Sequence, residues 1–371
     1  MEKKILHIFP DSMFISDFMK FLDTYFNHIC HDFIITDIGG GGIGTEIPDV
    51  YLKKYNVVKI STFSPQNMLA MNSLLKKSDI YGNIIFHSLY LNYLLPALLL
   101  NMKVVRRSTL SLWGGQDIGP FIVPSTKRKY KLFGWFYEKL RRLIIPEFKY
   151  IGAIVKEDYE KVKLLYDVKG IYKVCKYLTK SYSDYDRTKI HNEAGYINIQ
   201  VGHSGSALNY TLEVFDELLR YKESKIRIYC PLSYGDEIYI NEVINKGKTL
   251  FGKKFIPMTK QMAFDNFSKF VSNMDIYISN CTEQGGLGNL TAHLVSGNKI
   301  YLNGEGVVFG NYTREHGYHI YKITDISKMT EEEFTYFEAE KCAANTEKIK
   351  QLFDKTELVD SWVHILVNDK P

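Results

Sequence analysis

One glycine-rich segment combines residue types that suit the binding of a phosphorylated ligand. Residues 279–289 read SNCTEQGGLGN, and they are predicted to connect a strand to a helix. Glycines let a ligand approach the main chain closely, and the N–H groups and dipole of a helix N-terminus favour a pyrophosphate. Glu283 repels phosphate, so it is expected to accept hydrogen bonds from ribose or sugar hydroxyls. The alternative is a plain turn in which Gly286 and Gly288 pack on the sheet.

Two further loops of small polar residues are predicted at the ends of nearby strands. Residues 202–206 read GHSGS and lead from a strand into a helix, and residues 231–235 read PLSYG and end the next strand. The carboxyl ends of parallel strands lie at the same edge of a sheet. Three such loops at one edge predict a binding site more strongly than any one of them.

The chain supplies the parallel strands that these loops require. Short apolar runs alternate with amphipathic stretches through both halves, which is typical of parallel sheets flanked by helices. The predicted strands cover residues 5–9, 33–36, 57–60, 83–87, 104–112, 151–155, 196–201, 226–230, 254–257, 275–279 and 299–302.

The length of 371 residues is sufficient for two domains, each with its own core. We expect an α/β fold with two Rossmann-like domains that face each other across a cleft. The first should cover residues 1–170 and the second residues 195–350, joined by a polar linker over 171–194. Residues 351–371 form a tail or helix that could pack back on the first domain.

Composition excludes several classes of protein. Hydrophobic residues make up 45% and charged residues 24%, as in folded proteins. The five cysteines have no paired spacing, so neither a zinc site nor a disulfide framework is predicted. No signal peptide or membrane span is predicted. Asp184-Tyr185-Asp186 resembles a metal-binding motif but lies in the predicted linker, and no metal site is expected.

A basic and aromatic segment occupies residues 125–150. Within 127–142 one acid, Glu138, accompanies seven basic residues, which are Lys127, Arg128, Lys129, Lys131, Lys139, Arg141 and Arg142. Apolar and aromatic residues lie between them, which suits a helix at an anionic membrane surface. The alternatives are a solvated helix packed on the sheet by its apolar face, or an RNA-binding patch. No nucleic-acid motif accompanies the segment, so no nucleic-acid partner is expected.

Three segments of the second half resemble glycosyltransferase family 56. They are INIQVGHSGSALNY, CPLSYGDEIYINEVINKGKTLFGKKFIPMT and DIYISNCTEQGGLGNL, and the resemblance covers roughly residues 196–302. The family is typified by an enzyme that adds N-acetylfucosamine from its thymidine-diphosphate form to a lipid-linked acceptor. One position departs from the family pattern, because His203 stands where the family typically has Asn.

The resemblance implies a GT-B fold in which the C-terminal domain binds the nucleotide sugar and the N-terminal domain binds the acceptor. No metal or other cofactor is expected. The donor is expected to be linked to TDP or UDP. Its expected binding residues are Gly202, Ser204, Ser233, Tyr234, Glu283, Gln284, Gly285, Gly286, Gly288 and Asn289.

The first half resembles the family more loosely, at HIFPD (7–11), FHS (86–88) and LWGGQD (112–117). The family's Trp-Gly-x-Asp is one residue shorter than the matching stretch, so Gln116 or Asp117 takes the Asp position. The acceptor hydroxyl needs a base, and a carboxylate or imidazole at a strand end can serve. Asp117 and His87 are the two candidates. The expected acceptor-side residues are Asp11, Gly40, Gly41 and Trp113.

The resemblance therefore implies a metal-independent hexosyltransferase of bacterial surface polysaccharide synthesis. It would move a deoxy-amino sugar from a nucleotide-diphosphate donor to a polyprenyl-diphosphate-linked saccharide. The expected location is the cytoplasm, peripheral on the inner face of the plasma membrane. Two alternatives remain, a sugar-nucleotide epimerase of the same fold and a non-catalytic GT-B binding subunit.

Overall fold

The computed structural model divides the chain into two units. Unit 1 comprises Met1–Leu178 and Lys355–Pro371, and unit 2 comprises Thr179–Asp354. The residues that the structure describes are 4–12, 14–36, 47–60, 65–89, 94–114, 117–118, 128–177, 195–336, 338–352 and 355–367.

Unit 1 contains a parallel sheet of seven strands in the order β3-β2-β1-β4-β5-β6-β7. The strands are β1 (Lys4–Pro10), β2 (Cys30–Thr36), β3 (Asn56–Ile60), β4 (Asn83–His87), β5 (Thr109–Ser111), β6 (Tyr150–Ala153) and β7 (Ile171–Val174). The helices are α1 (Ile15–Tyr25), α2 (Asp49–Lys54), α3 (Pro65–Lys76), α4 (Leu94–Leu99), α5 (Met102–Val105), α6 (Arg128–Ile144), α7 (Lys156–Tyr166) and α15 (Lys355–Leu366).

Alternate residues of the central strands face two separate cores. In β1, Leu6 and Ile8 belong to one core and Ile5 and Phe9 to the other. Helix α15 contributes Trp362 to the second core, where its side chain is fully buried. Both faces of the sheet are covered, which explains why its strands are nearly continuous apolar runs.

Unit 2 contains a parallel sheet of six strands in the order β10-β9-β8-β11-β12-β13. The strands are β8 (Ile197–Val201), β9 (Ile226–Pro231), β10 (Phe255–Met258), β11 (Ile276–Ser279), β12 (Lys299–Leu302) and β13 (Tyr321–Lys322). The helices are α8 (Thr211–Leu218), α9 (Glu237–Phe251), α10 (Phe264–Ser272), α11 (Leu287–Val295), α12 (Val307–Gly310), α13 (Glu331–Thr335) and α14 (Ala339–Leu352).

Both strand orders match the doubly wound Rossmann arrangement, in which the third, second and first strands are followed by the fourth, fifth and sixth. The order reverses between β1 and β4 in unit 1 and between β8 and β11 in unit 2. The predicted α/β class with two Rossmann-like sheets is therefore confirmed.

Two segments of unit 1 differ from the sequence prediction. Ile171–Val174, expected within the linker, forms edge strand β7, whose exposed residues leave it without the apolar pattern of a central strand. The strand expected over 104–112 is shorter, because α5 (Met102–Val105) occupies its beginning and β5 covers Thr109–Ser111 alone.

Candidate functional site

The loops after β8 and β11 meet at the point in unit 2 where the strand order reverses. Gly202 N, just past β8, donates to the carbonyl oxygen of Ile278 in β11 (2.9 Å). Helices α8 and α11 then pack in different cores of the unit. Neighbouring strands whose helices diverge leave a crevice at their carboxyl ends, and sheets of this type bind ligands there.

Two glycines join the loops after β8 and β9. Gly205 N donates to the carbonyl oxygen of Tyr234 (2.8 Å), and Asp236 N donates to the carbonyl oxygen of Gly205 (3.0 Å). Gly235 has a φ of +133°, and a Cβ there would lie 2.3 Å from the carbonyl carbon of Gly205. No side chain fits at that position, so the two loops are held together while the Tyr234 side chain stays 54% exposed.

Helix α11 begins with a glycine in the left-handed conformation, because Gly286 has a φ of +64°. The first N–H groups of a helix have no partner within it. Gly288 lies in this first turn, and a Cβ there would meet no atom within 4 Å beyond its chain neighbours and the backbone of its own helix. The start of α11 therefore offers main-chain donors beside open space, which suits an anionic ligand.

The imidazole of His203 covers the Gly285–Gly286 turn. A Cβ on Gly286 would lie 2.5 Å from His203 Nδ1, and one on Gly285 would lie 3.3 Å from His203 Cε1. Nδ1 is buried and has no hydrogen-bond partner among the described residues. Burial lowers the pKa of His203 to about 4, so the ring is neutral near pH 7. An unpaired buried polar atom costs about 1–3 kcal/mol.

Asn209 connects the loop after β8 to the loop after β11. Its Nδ2 donates to the carbonyl oxygen (2.7 Å) and to Oγ (2.9 Å) of Ser204, which is buried. Its Oδ1 accepts from Cys281 Sγ (3.2 Å). The buried Ser204 side chain thus helps to hold the loop in place. The sequence interpretation did not single out Asn209, since it follows the glycine-bearing loop.

A buried network fixes the position of Asn289. Gln200 Nε2 donates to Asn289 Oδ1 (3.0 Å) and to the carbonyl oxygen of Gly202 (2.9 Å). His293 Nε2 donates to Gln200 Oε1 (2.8 Å), and His293 Nδ1 accepts from Asn298 Nδ2 (2.8 Å). The interior of unit 2 therefore orients two of the predicted donor residues.

Every predicted donor residue lies on the loops after β8, β9 and β11 or in the first turn of α11. Glu283 and Gly285 are half-buried, and Gln284 is buried with no hydrogen-bond partner for Oε1 among the described residues. These three strands are neighbours in the sheet. The loops are consequently brought to one edge, although the individual binding roles stay predictions.

In unit 1, the carboxylate of Asp117 joins the ends of β4 and β5. Oδ1 accepts from Leu89 N (2.9 Å) and Oδ2 accepts from Trp113 N (3.0 Å). The side chain is 1% exposed. Burial raises the pKa of Asp117, and the hydrogen bonds to its carboxylate oppose that rise. This environment favours a structural role, and the assignment of Asp117 as the catalytic base stays a prediction.

His87 belongs to a buried chain of hydrogen bonds, which runs through His31, His7, His87, Tyr177 and Ser111. His31 Nε2 lies 3.2 Å from a main-chain carbonyl oxygen, which can only accept, so this nitrogen carries the proton. Because the rings are neutral, each then accepts at Nδ1, and the Tyr177 hydroxyl lies 2.6 Å from His87 Nδ1. Burial lowers the pKa values of His7 and His87 well below the usual histidine value. With both ring nitrogens occupied, His87 also resembles a structural residue more than a base.

The remaining predicted acceptor-side residues lie at the same strand ends or outside the described residues. Trp113 is half-buried and meets the rings of Phe9 and Tyr177 edge-on. Asp11 follows β1 and its N–H donates to the carbonyl oxygen of Thr36 (2.8 Å). Gly40, Gly41, Gln116 and the Asp184–Asp186 motif lie outside the described residues.

Helix α6 carries most of the described part of the basic aromatic segment. Four large apolar side chains on it are exposed by 48–57%, namely Leu132, Trp135, Phe136 and Leu143. Lys139 lies over the Trp135 ring at 4.1 Å from its centroid. Arg141 differs from the expectation, because it is 1% exposed and cannot contact a membrane. In the described part of the chain, no helix combines the length and apolar character that crossing a membrane requires.

Comparison with known proteins gives one family and several similar folds. The family model described as 4-alpha-L-fucosyltransferase glycosyl transferase group 56 matches residues 44–369. A glycosyltransferase from Rickettsia africae has a TM-score of 0.66 at 12% identity, over 98% of both chains. Anabaena Alr3699/HepE in complex with UDP-glucose has a TM-score of 0.65 at 12% identity, over 98% of this chain and 99% of that one.

The lipopolysaccharide outer core galactosyltransferase WaaB is also similar, with a TM-score of 0.60 at 12% identity over 97% of this chain and 98% of that one. At these identities the likeness concerns the fold. It identifies the two sheets as a GT-B fold, as the sequence predicted.

Proposed function

The chain belongs to glycosyltransferase group 56, and from that membership we propose that it transfers a sugar from a nucleotide-diphosphate donor to a lipid-linked saccharide. The donor diphosphate binds in the crevice between the loops after β8 and β11. The family membership makes the chain a glycosyltransferase, so the epimerase and the non-catalytic subunit are set aside.

The observation that carries the proposal is the set of donors around the first turn of α11. The neutral imidazole of His203 packs on the Gly285–Gly286 turn that begins the helix, and the space at Gly288, in the first turn, is open. As the glycosidic bond breaks, negative charge develops on the leaving diphosphate. Oriented donors stabilise such charge, so the proposed transfer requires no metal ion.

The identity of the sugar is proposed from the resemblance within residues 196–302. The family is typified by transfer of a deoxy-amino sugar from a TDP-linked donor. Alr3699/HepE, which shares the fold, has been solved with UDP-glucose. We therefore favour a TDP- or UDP-linked deoxy-amino hexose. His203 replaces the Asn of the family pattern, which makes this position the first to examine for donor preference.

The acceptor is proposed to be a polyprenyl-diphosphate-linked saccharide, used at the inner face of the plasma membrane. Helix α6 supports a peripheral attachment, because Leu132, Trp135, Phe136 and Leu143 are exposed and Lys139 accompanies them. Apolar burial together with attraction of basic residues to anionic lipid is what holds an interfacial helix.

The proposal can be tested with purified protein and a panel of nucleotide sugars. TDP- and UDP-linked hexoses, with and without amino and deoxy groups, would be incubated with a membrane extract that contains polyprenyl-linked saccharides. Mass spectrometry would follow nucleotide release and the mass added to the lipid. We expect nucleoside diphosphate release that depends on the extract. Conversion of the free nucleotide sugar to an isomer without any acceptor would contradict the proposal.

A further inference from the structure

Arg141 is a basic residue of the exposed helix α6 that points into unit 1. Its Nη2 donates to the carbonyl oxygen of Asp117 (3.0 Å), and its Nε donates to the hydroxyl of Tyr166 in α7 (3.1 Å). Glu138 lies 3.7 Å from Arg141 Nε and accepts from the Tyr166 hydroxyl (3.2 Å). The buried guanidinium is therefore compensated by a carboxylate and by hydrogen bonds, as a buried charge requires.

Asp117 continues this set of contacts to the strand ends. Its carbonyl oxygen accepts from Arg141, while its carboxylate accepts from Leu89 N after β4 and from Trp113 N after β5. Arg141 and Asp117 thus connect α6, whose apolar face is exposed, to the main chain at the predicted acceptor side of unit 1. We propose that Arg141 is a positioning residue that couples binding of α6 to an anionic lipid surface with the conformation of these strand ends.

This inference rests on the proposed attachment of α6 to a membrane. A ligand stabilises only the conformations that can bind it. Lipid bound to α6 in its native position therefore opposes any local unfolding that displaces the helix. Arg141 and Asp117 link α6 to the main chain at Leu89 and Trp113, so local unfolding that exposes these two amides would also require the helix to move. Lipid bound to α6 would therefore oppose this local unfolding. The acceptor side would then be most ordered when the enzyme lies on the surface that holds a lipid-linked acceptor.

The test is hydrogen–deuterium exchange of the full chain with and without vesicles of phosphatidylglycerol and phosphatidylcholine. The amides of Leu89 and Trp113 report on the coupling. At a lipid concentration ten times that for half-maximal binding, their exchange should slow by up to about 10-fold in the wild-type protein. Neutral phosphatidylcholine vesicles should have a much smaller effect.

Arg141→Met removes the coupling and Arg107→Met is the matched control. Arg107 also donates to main-chain carbonyl oxygens in unit 1, those of Tyr81 (2.9 Å) and Ser78 (2.7 Å), but it lies outside α6. We expect Arg141→Met to co-sediment with anionic vesicles as the wild type does, yet to show less than about 2-fold slowing at Leu89 and Trp113. Arg107→Met should keep the full slowing. Each ratio is taken within one variant, so a general loss of stability cancels.

If Arg141→Met does not fold, Tyr166→Phe removes one of the bonds that hold the guanidinium and should reduce the slowing. Full slowing in Arg141→Met, or in Tyr166→Phe where that variant replaces it, would overturn the coupling. So would vesicle binding by the wild type without slowing at Leu89 and Trp113. Failure of the wild type to co-sediment would instead refute the attachment of α6, and the coupling with it.

Discussion

His203 Nδ1 lies 2.5 Å from the place where a Cβ on Gly286 would stand. The imidazole can cover the turn only because residue 286 has no side chain, and the left-handed conformation of that residue independently favours glycine. The two positions therefore depend on each other. They bring a neutral imidazole to the start of α11, where the donor diphosphate is proposed to bind.

A double-mutant cycle measures this dependence. Gly286→Ala should destabilise the protein by more than the roughly 1–2 kcal/mol expected for an L-residue in the left-handed conformation, because its methyl group also collides with His203. In the His203→Ala background the collision is gone, so the cost should fall to that range. The free energy of unfolding in urea gives both values. Equal costs in the two backgrounds would show that the ring does not press on the turn.

Asp117→Asn should lower stability and turnover together. The carboxylate accepts two main-chain N–H groups on separate oxygens, whereas an amide would turn an NH₂ group toward one of these donors. A lost hydrogen bond with a buried unsatisfied group costs about 1–3 kcal/mol. Affinity for nucleoside diphosphates should change little, because the loops proposed to bind the donor lie in unit 2. Urea unfolding and calorimetry supply the two measurements.

The same variant separates the two candidate bases. A positioned base contributes typically 10²–10⁴-fold to the rate, so such a loss in an Asp117→Asn protein whose free energy of unfolding stays close to that of the wild type would support Asp117. Near-wild-type turnover in Asp117→Asn, beside an inactive His87→Ala variant that still binds donor, would assign the base to His87. Activity in both variants would place the base elsewhere.

Acid should weaken unit 1 through its buried histidines. Burial lowers the pKa of His31 to about 4, against 6.5 for an ordinary histidine. Below about pH 6.5 His31 binds a proton in the unfolded chain but not in the folded protein. The contribution of His31 to the free energy of unfolding is therefore complete above that pH and is lost as the pH falls toward 4. The loss for His31 alone is about 2 kcal/mol between pH 7.5 and 5.0.

The control for this prediction is a neighbouring exposed histidine. His31→Gln removes one titrating group and should flatten the dependence of the unfolding free energy on pH by about that amount. His28→Gln changes an exposed ring and should alter that dependence less than His31→Gln does. A wild-type protein with the same urea midpoint at pH 7.5 and 5.0 would contradict the assignment of neutral buried rings.

The sequence predicted the elements whose signal is local. The central strands are apolar runs, and the prediction of residues 83–87 and 299–302 agrees with β4 and β12. The loops of unit 2 were found because glycine and polar residues end such runs. Strand β7 was missed because an edge strand with exposed residues has no distinct apolar pattern.

Side-chain burial depends on contacts between distant residues, and the sequence could not supply it. The sequence pattern does not distinguish Arg141 from the basic residues around it. In the structure its side chain is buried and contacts Asp117 and Tyr166. Asp117 and His87 look available for catalysis at strand ends, and their hydrogen bonds to residues far along the chain became visible only in the structure. His203 stood out as a departure from a family pattern, but its place over Gly286 required the fold.

Membrane attachment can be tested on the exposed face of α6. Trp135→Ala combined with Lys139→Glu removes an exposed ring and reverses the charge that lies over it. This variant should be released from anionic vesicles, and salt should weaken binding of the wild type because exposed charges are screened. Arg141 is left intact, since its burial would confuse loss of binding with loss of folding.

The matched control is an exposed pair on α7. Leu164 is 89% exposed and Lys163 precedes it, so Leu164→Ala with Lys163→Glu makes the same kinds of change away from α6. This control should co-sediment with anionic vesicles as the wild type does. Equal sedimentation of both double variants with anionic and neutral vesicles would rule out α6 as the attachment site.

The most direct test of the proposed donor site is calorimetric titration of UDP and TDP into the wild type and Gly288→Ala. A Cβ at Gly288 meets no protein atom within 4 Å, so the variant should fold at least as stably as the wild type. Its methyl group would stand in the first turn of α11, where the diphosphate is proposed to bind. We predict that the wild type binds one of the nucleotides and that the variant binds it at least about 10-fold more weakly, a difference of about 1.4 kcal/mol. Equal affinities in the two proteins, or no binding of either nucleotide to the wild type, would contradict the site.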